Sequence, residues 1–455
     1  MSMQTGAIRL HGRITLPALP TVEPNQHRTS LRRAHGLWAG AFLVGLIVFV
    51  SMPQRELPLY IHAAERMLRG ETIYRIDERA FTYPPLFALP FVLLTYLPEA
   101  AQRVLWYAVN FAALGIIFVR LKRRLEPVLA SAESSWIGSP WFFWGLVVLI
   151  AGRHVSAVLE NQSHDLLVFL GAFLAVDALC SARAKVAGLW AGLATALKAT
   201  PLLFAPLLLW QRRWAACVCL ALALVGGTLL PDVVLPARDG VSWTANWYRT
   251  FITTIRPGET ATAHRAWYPW NQLNQSLAGT CYRLFTPPPP DPDRYDVSVL
   301  HLDRSVLRAV TLSSQLAALA WLLWLTRPRL TRDLIGDELG FVRLGQGAAL
   351  LTAMVLLSPT SIKTHFCVLL LPAAFCLADF LYRRRDPFVG AALAIAFVLG
   401  TLTTKSVLSK ELGDHVMAYG TVTACALALY LATGRVMLQR AQAARAGDVW
   451  RFELA

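Results

Sequence analysis

Apolar segments separated by short polar stretches recur along nearly the whole chain. A helix that crosses a hydrocarbon core of about 30 Å needs about 20 apolar residues, and several segments reach this length. Inside lipid a helix satisfies all of its own backbone hydrogen bonds, so this pattern predicts an all-α polytopic membrane protein. It predicts about 12 transmembrane helices, of which 186–198 and 200–210 form a half-length pair. The other ten are 37–52, 101–120, 138–152, 164–180, 214–231, 306–326, 344–358, 365–382, 387–403 and 415–434.

Composition agrees with this interpretation, because 55% of the 455 residues are hydrophobic and only 16% are charged. A soluble helical protein of this size would need many more charged helix faces. The net charge of +15 is also a feature of proteins that bind nucleic acid. Here, however, the basic residues cluster beside apolar segments, so we expect the lipid bilayer as the partner and no nucleic acid.

The basic clusters orient the chain, because cytoplasmic loops are enriched in lysine and arginine. Placing them all in the cytoplasm puts both termini there, as a basic N-terminal segment (1–36) and a basic tail (435–455). The segment that starts at residue 37 is expected to be the first span of an inner-membrane protein and not a cleaved signal peptide. The clusters are 28–35, 120–124, 181–185, 211–213, 327–332 and 383–385.

Two long loops, 53–100 and 232–305, then lie on the outer, periplasmic side. In the first, residues 57–69 are amphipathic and predict an interfacial helix. Prolines at 84, 85, 90 and 98 interrupt the apolar segment 84–98. If this segment crossed the membrane, the basic cluster 120–124 would end up outside, so the Tyr-Pro-Pro segment is predicted to be re-entrant.

Polar side chains converge on the outer face in this topology. An ionisable group at membrane depth costs about 2.5–3.5 kcal/mol on insertion scales, so it usually has a partner or a function. Lys198 is the clearest case, because it lies between two apolar half-helices. The seven cysteines show no metal-binding or disulfide spacing, so neither a metal site nor a disulfide framework is expected.

Six segments, in this order, resemble glycosyltransferase family 87, whose members have the GT-C fold and are similar to polyprenyl-phosphate-mannose-dependent α-mannosyltransferases. The resemblance covers about 50–380 and implies that 37–434 is a GT-C transmembrane catalytic domain. The segments are RELPLYIHAAERMLRGETIYR, FTYPPLFALPF, ENQSHDLLVFLGAFL, GLWAGLATALKATPLLFAPLLLWQRRW, NQLNQSLAGTCYRLF and SPTSIKTHFCVLLLP.

The resemblance implies that an acceptor hydroxyl attacks the anomeric carbon of a polyprenyl-phosphate sugar at the outer face, with inversion. This needs a carboxylate as general base, and groups that stabilise charge on the phosphate. Glu56 matches the family's base, usually an aspartate, although it also suits a plain helix start. Glu160 or Asp165 are alternative bases.

The other site residues follow from the same resemblance. Lys198, His365 and Lys363 are predicted to bind the donor phosphate, although Lys198 could instead extend towards the membrane interface. No metal or cofactor is expected besides the lipid-linked donor. The residues predicted to contact sugar or acceptor are Tyr83, Glu160, Gln162, Asn271 and Asn274.

Two other functional classes fit the sequence less well. A lipid or sugar transporter or flippase should place ionisable groups along a path through the bilayer, whereas here they gather near one face. A purely structural membrane component would leave Lys198 and the ordered motifs unexplained. The sequence therefore favours a glycosyltransferase that moves a hexose, with mannose preferred, to a glycolipid or glycan acceptor.

Overall fold

The computed structural model describes residues 24–74, 81–130, 139–260, 269–289 and 295–446, with side chains from residue 36. The chain forms two units, residues 1–48 and 49–455. All regular secondary structure in the described part is helical, as predicted. Its α-helices are α1 (Pro24–Ser51), α2 (Leu57–Leu68), α3 (Glu99–Leu129), α4 (Pro140–Asn161), α5 (Asp165–Cys180), α6 (Ala184–Leu197), α7 (Phe204–Trp210), α8 (Trp214–Val234), α9 (Trp243–Phe251), α10 (Leu277–Phe285), α11 (Arg304–Leu325), α12 (Gly336–Leu357), α13 (Leu370–Tyr382), α14 (Pro387–Phe397), α15 (Lys410–Ala418) and α16 (Thr421–Ala446).

Shorter helical turns connect several of these α-helices. The 3₁₀ turns are Pro85–Phe87, Leu89–Val92, Leu94–Tyr96, Thr200–Leu203, Ile252–Thr254, Pro328–Leu330 and Lys363–Leu369, and a π-helical turn covers Val398–Leu402.

Seven helices of the described chain are long and apolar enough to cross a membrane, which makes the protein a multi-pass membrane protein. The higher count of about 12 spans stays a prediction, because the remaining apolar helices are shorter. Only 17% of the apolar window of α8 is buried, whereas 83% of that of α12 is buried. The apolar surface of α8 therefore faces outward, as lipid contact requires. The seven are Glu99–Leu129, Pro140–Asn161, Trp214–Val234, Arg304–Leu325, Gly336–Leu357, Lys363–Tyr382 and Thr421–Ala446.

Glycines in α6 allow it to pack closely against α8. A Cβ atom on Gly188 would lie 2.1 Å from the carbonyl oxygen of Ala216, and one on Gly192 would lie 2.4 Å from that of Leu220. Because these residues are four positions apart, they lie on one face of α6 and let the two backbones approach. This contact holds α6, at whose end Lys198 lies, in place.

The proline-rich segment after α2 forms three successive 3₁₀ turns between Pro85 and Tyr96. Proline lacks a backbone N–H, so a continuous α-helix is disfavoured there. Phe87 and Phe91 point inward and are buried. The re-entrant course predicted for 84–98 stays a prediction.

The described part of the loop 232–305 contains the short helices α9 and α10 and contacts Thr72 and Thr82 of the first outer loop. The Trp247 Nε1 donates to the Thr82 carbonyl oxygen at 3.1 Å, and Asn246 Nδ2 donates to Thr72 Oγ1 at 3.1 Å. Asp232 accepts a hydrogen bond from Ser242 Oγ at 2.9 Å and so holds the start of α9. This loop therefore forms one side of the pocket described below.

The prediction of a span at 415–434 is wrong in its boundaries. Gly420 has a φ of +86°, a conformation that glycine adopts easily, and it separates α15 from α16. Helix α16 then continues to Ala446, well into the predicted basic tail. Arg440 is almost fully buried there and donates from Nε to Asp379 Oδ1 at 2.7 Å, so this part of the tail is packed against α13.

A cluster of basic side chains lies at the C-terminal end of α5. Asp177, near the end of α5, accepts from Arg124 Nε at 2.6 Å and from Arg120 at 3.2 Å. Asp165 begins the same helix twelve residues earlier, which corresponds to about 18 Å at 1.5 Å per residue. The basic cluster 120–124 and Asp165 at the start of α5 therefore lie at opposite ends of the helix bundle.

Candidate active site

Glu56 lies directly before α2, and its carboxylate is buried, with 6% of the residue exposed. Its Oε2 accepts hydrogen bonds from the Tyr60 hydroxyl and, at 3.3 Å, from the Tyr83 hydroxyl. Burial raises the pKa of both tyrosines well above 10, and the nearby charge of Glu56 raises it further. The two phenols therefore stay protonated and donate to the carboxylate.

A left-handed turn between α4 and α5 brings His164 and Asp165 next to this group. Gln162 ends α4 with a φ of +56°, which is unusual for a residue with a side chain and typical of functional segments. The His164 ring lies 4.3 Å from that of Tyr83, and its Nδ1 lies 3.2 Å from the Tyr60 hydroxyl. Burial lowers the pKa of His164 to about 3, so its imidazole is neutral.

Asp165 lies between the two residues predicted to bind the donor phosphate, Lys198 and His365. Its Oδ1 lies 2.6 Å from Lys198 Nζ and 3.9 Å from His365 Nε2, and its Oδ2 accepts from Ser163 Oγ at 2.7 Å. The Asp165 side chain is only 3% exposed and that of Lys198 11% exposed. A buried ion pair of this kind is strongly coupled, because either charge alone would be poorly solvated.

The local sequence explains where Lys198 and His365 lie. Lys198 follows the last turn of α6 in extended conformation, because Pro201 disfavours continuation of the helix. His365 lies on the 3₁₀ turn Lys363–Leu369, which follows Pro359 at the end of α12. The two residues therefore come from broken helices at the same end of the bundle.

Lys198, His365 and Tyr83 line one pocket, with a volume of about 160 Å³. The structure thus brings together three of the predicted residues, and it places Glu56 directly behind Tyr83. Much of the remaining lining is apolar and includes Phe251 of α9. A pocket lined by a cation and by apolar side chains suits a ligand that has both an anionic group and a hydrocarbon chain. The other apolar lining residues include Trp247, Ile252, Ile255 and Ile362.

Lys363 and Glu160, also predicted to belong to the site, do not line this pocket. They line a second pocket with a volume of about 500 Å³. Glu160 forms an ion pair with Arg153 there. Lys363 is separated from His365 because residues two positions apart on a 3₁₀ helix, with three residues per turn, point in different directions.

The side chains of three residues predicted to bind sugar or acceptor, Gln162, Asn274 and Asn271, form hydrogen bonds within the protein. Gln162 Oε1 accepts from the backbone N–H of Arg55 at 3.1 Å, whereas its Nε2 is buried with no hydrogen-bond acceptor among the described residues. Asn274 Nδ2 donates to Pro359 at 3.2 Å, and its Oδ1 accepts from the Ser361 N–H at 3.0 Å. Asn274 therefore positions the segment that precedes His365.

Asn271 caps its own turn, because its Oδ1 accepts from the N–H of Leu273 at 2.9 Å. Its carbonyl oxygen accepts from the buried Arg283 at 2.8 Å. Neither Asn271 nor Asn274 lines the pocket of Lys198 and His365. Sugar or acceptor contact by these residues stays a prediction.

Asp165 was predicted only as an alternative base, and Tyr60 was not predicted to belong to the site. The signal for Asp165 was present, because Ser163, His164 and Asp165 form a polar triplet directly before an apolar helix. Tyr60 carried a weaker signal, one turn after Glu56 on the amphipathic helix, since residues four apart face each other.

The chain is similar in sequence to proteins of a known family. The model of the family described as Glycosyltransferase family 87 matches residues 81–359. The chain is 25% identical, over 82% of its length and 81% of the relative, to "Polyprenol-phosphate-mannose-dependent alpha-(1-2)-phosphatidylinositol mannoside mannosyltransferase" of Mycolicibacterium smegmatis (strain ATCC 700084 / mc(2)155). It is 28% identical, over 36% of its length and 34% of the relative, to the "Polyprenol-phosphate-mannose-dependent alpha-(1-2)-phosphatidylinositol pentamannoside mannosyltransferase" of the same organism. No solved structure matches the chain.

Proposed function

The chain belongs to glycosyltransferase family 87 and is a membrane glycosyltransferase, and we propose that it transfers mannose from a polyprenyl-phosphate donor to a hydroxyl of a glycolipid acceptor. Two similar proteins carry names that specify a polyprenol-phosphate-mannose donor and a phosphatidylinositol mannoside acceptor. These names support the sugar, the donor and the acceptor class in this proposal.

The observation that carries the proposal is the mixed lining of this pocket. Lys198 provides a cation and His365 a hydrogen-bonding group, and Trp247 and Phe251 provide apolar surface. A polyprenyl-phosphate sugar has matching parts, namely a phosphate beside the sugar and a long hydrocarbon chain. Asp165 keeps Lys198 oriented through the 2.6 Å contact, so the cation is positioned before the donor arrives.

In the proposed reaction the acceptor oxygen forms a bond to the anomeric carbon while the bond from that carbon to the phosphate oxygen breaks. The nucleophile enters opposite the leaving group, so the configuration inverts. Tyr83, which lines the pocket, takes the acceptor proton as it gives its own proton to Glu56. Lys198 and His365 stabilise the negative charge that develops on the departing lipid phosphate.

We assign the reaction to the outer face of the membrane. The candidate site lies at the end of α5 opposite to the Asp177 ion pairs with Arg120 and Arg124. Because basic clusters beside spans are enriched in the cytoplasm, this arrangement favours an outward-facing site with cytoplasmic termini.

The experiment measures transfer by the full-length protein in lipid nanodiscs, with radiolabelled polyprenyl-phosphate mannose and a phosphatidylinositol mannoside acceptor. Lys198→Gln is expected to lower the transfer rate about 100- to 1000-fold, the usual effect of removing one group that stabilises transition-state charge. Lys185→Gln is the matched control, because Lys185 is an exposed lysine at the other end of α6. Absence of transfer by the unmodified protein, or equal rates for both variants, would contradict the proposal.

A further inference from the structure

A second pocket lies beside the proposed donor pocket, at the same end of the helix bundle. It has a volume of about 500 Å³ and is bounded by the end of α4, the start of α15 and the segment between α14 and α15. The 3₁₀ turn that carries His365 also separates the two pockets, because Lys363 faces the second one. Arg55, next to Glu56, lines it as well, so its contents lie close to the proposed base.

The described lining of this second pocket is strongly basic. Its only acidic member is Glu160, whose charge is offset by the ion pair with Arg153. The basic side chains in the lining are Arg55, Arg153, Lys363, Lys405 and Lys410. The pocket therefore has a net positive charge, which attracts anions.

Two of these lysines have no anionic partner among the described residues. Lys405 pairs with Asp414 at 2.6 Å, whereas neither Lys363 nor Lys410 has a carboxylate within 4.0 Å in the part of the chain that the structure describes. Lys363 is also half-buried, which leaves its ammonium group incompletely hydrated. A bound anion would compensate both the lost hydration and the repulsion from neighbouring cations.

Apolar side chains share the lining with these cations. Leu273, Leu399 and Val422 all contact the pocket. A small inorganic anion would leave this surface without a partner, whereas the glycerol and acyl parts of a phospholipid would cover it. The pocket is therefore suited to an amphipathic anion.

We infer that the second pocket binds the phosphodiester group of a glycerophospholipid that carries the acceptor sugar. This inference rests on the proposed function, because it assigns the acceptor's lipid head to the site next to Glu56. Lys363 and Lys410 contact the phosphodiester, and the attached sugar extends past the shared wall towards Glu56. The phosphate of the donor and that of the acceptor are thus bound by different lysines.

A binding experiment tests this assignment without sugar transfer. The full chain in detergent is titrated with fluorescently labelled phosphatidylinositol, followed by fluorescence anisotropy. We expect the double variant Lys363→Gln/Lys410→Gln to lose about tenfold in affinity, or about 1.4 kcal/mol. The control Lys122→Gln/Arg123→Gln removes the same net charge from exposed positions in the C-terminal part of α3. The control is expected to keep its affinity within about twofold, since isolated surface charges contribute little.

Two further arms identify the source of the anion. Labelled phosphatidylcholine, whose phosphodiester is offset by choline, is expected to bind weakly and equally to all variants. Millimolar inorganic phosphate is expected not to displace phosphatidylinositol. Displacement by inorganic phosphate, equal losses in both double variants, or unchanged affinity in Lys363→Gln/Lys410→Gln would each overturn the inference.

A kinetic arm separates this inference from the proposed function. Transfer is compared between a phospholipid-linked mannoside and an alkyl mannoside that lacks phosphate. The ratio of the two kcat/KM values is expected to fall about tenfold in Lys363→Gln/Lys410→Gln, because only the phospholipid loses contacts. An unchanged ratio overturns the inference even if transfer occurs. If the unmodified protein transfers to neither acceptor, the proposed function fails, and the binding titration still decides whether the pocket takes the phospholipid.

Discussion

Asp165 is the residue whose substitution most directly tests the arrangement of the candidate site. Its carboxylate accepts from Lys198 Nζ at 2.6 Å and from Ser163 Oγ at 2.7 Å, and it is almost completely buried. Asp165→Asn keeps the size of the side chain but removes its charge. Lys198, only 11% exposed, would then keep a buried charge without compensation.

The expected cost follows from that burial. Removing one partner of a buried ion pair typically destabilises a protein by about 3–5 kcal/mol. The asparagine Oδ1 still accepts one hydrogen bond, so we expect the lower end, about 3 kcal/mol. Transfer is expected to fall about 100- to 1000-fold, because an unanchored lysine no longer meets the donor phosphate in the required geometry.

A double variant separates positioning from simple stability. Asp165→Asn/Lys198→Met removes both charges, and replacing a buried pair by neutral groups is often nearly neutral for stability. Its midpoint of thermal unfolding, followed by tryptophan fluorescence in detergent, is therefore expected to lie above that of Asp165→Asn. Transfer activity is expected to stay low, because the phosphate has lost its cation.

Two results would refute this reasoning about Asp165. A transfer rate of Asp165→Asn within about threefold of the unmodified protein, less than 1 kcal/mol in transition-state free energy, would show that Lys198 needs no anchor. Recovery of activity together with stability in the double variant would show that the pair only holds the fold. Asp303→Asn serves as the control, because Asp303 is exposed and makes no side-chain capping hydrogen bond.

Two other substitutions test the base and the helix packing. Glu56→Gln is expected to lower the transfer rate about 100- to 10,000-fold without loss of membrane insertion, because this is the usual range for removing a general base. Glu65→Gln on α2 is its control. Full activity of Glu56→Gln would exclude Glu56 as the base. Gly192→Ala is expected to destabilise the protein by about 1–3 kcal/mol, because its Cβ would lie 2.4 Å from the Leu220 carbonyl oxygen. Gly226→Ala, which meets no atom within 4 Å, should leave the unfolding midpoint unchanged or slightly higher. Equal midpoints for the two alanine variants would contradict this account of α6–α8 packing.

Sequence patterns predicted the fold best where apolar residues run without interruption. The segment 214–231 corresponds closely to α8, Trp214–Val234. The segment 415–434 failed because hydropathy does not show that Gly420 adopts a positive φ and ends one helix before the next begins. Helix bounds inside the bundle were harder to predict, since buried polar pairs such as Asp379–Arg440 let α16 extend through residues that hydropathy assigns to a solvated tail.

The site was predictable only in part, because its central pairing joins residues that are distant in sequence. Lys198 stood out as an isolated cation between apolar half-helices, and the structure brings it into one pocket with His365. Asp165 lies 33 residues before Lys198, and only the packing of α5 against α6 brings the two together. A single sequence does not encode such a contact in any local pattern, so Asp165 remained one of several possible acids.

The separation of Lys363 from His365 has a local geometric cause with a wider consequence. On a 3₁₀ helix, residues two positions apart differ by about 240° around the axis, so one turn presents its side chains to two different spaces. An α-helix would separate them by about 200°, whereas an extended strand would place both on the same face. The 3₁₀ turn Lys363–Leu369 thus lies between the pocket of Lys198 and His365 and the basic pocket. If the proposed donor and acceptor occupy these two pockets, one short segment, SPTSIKTHF, contributes a histidine to the donor side and a lysine to the acceptor side.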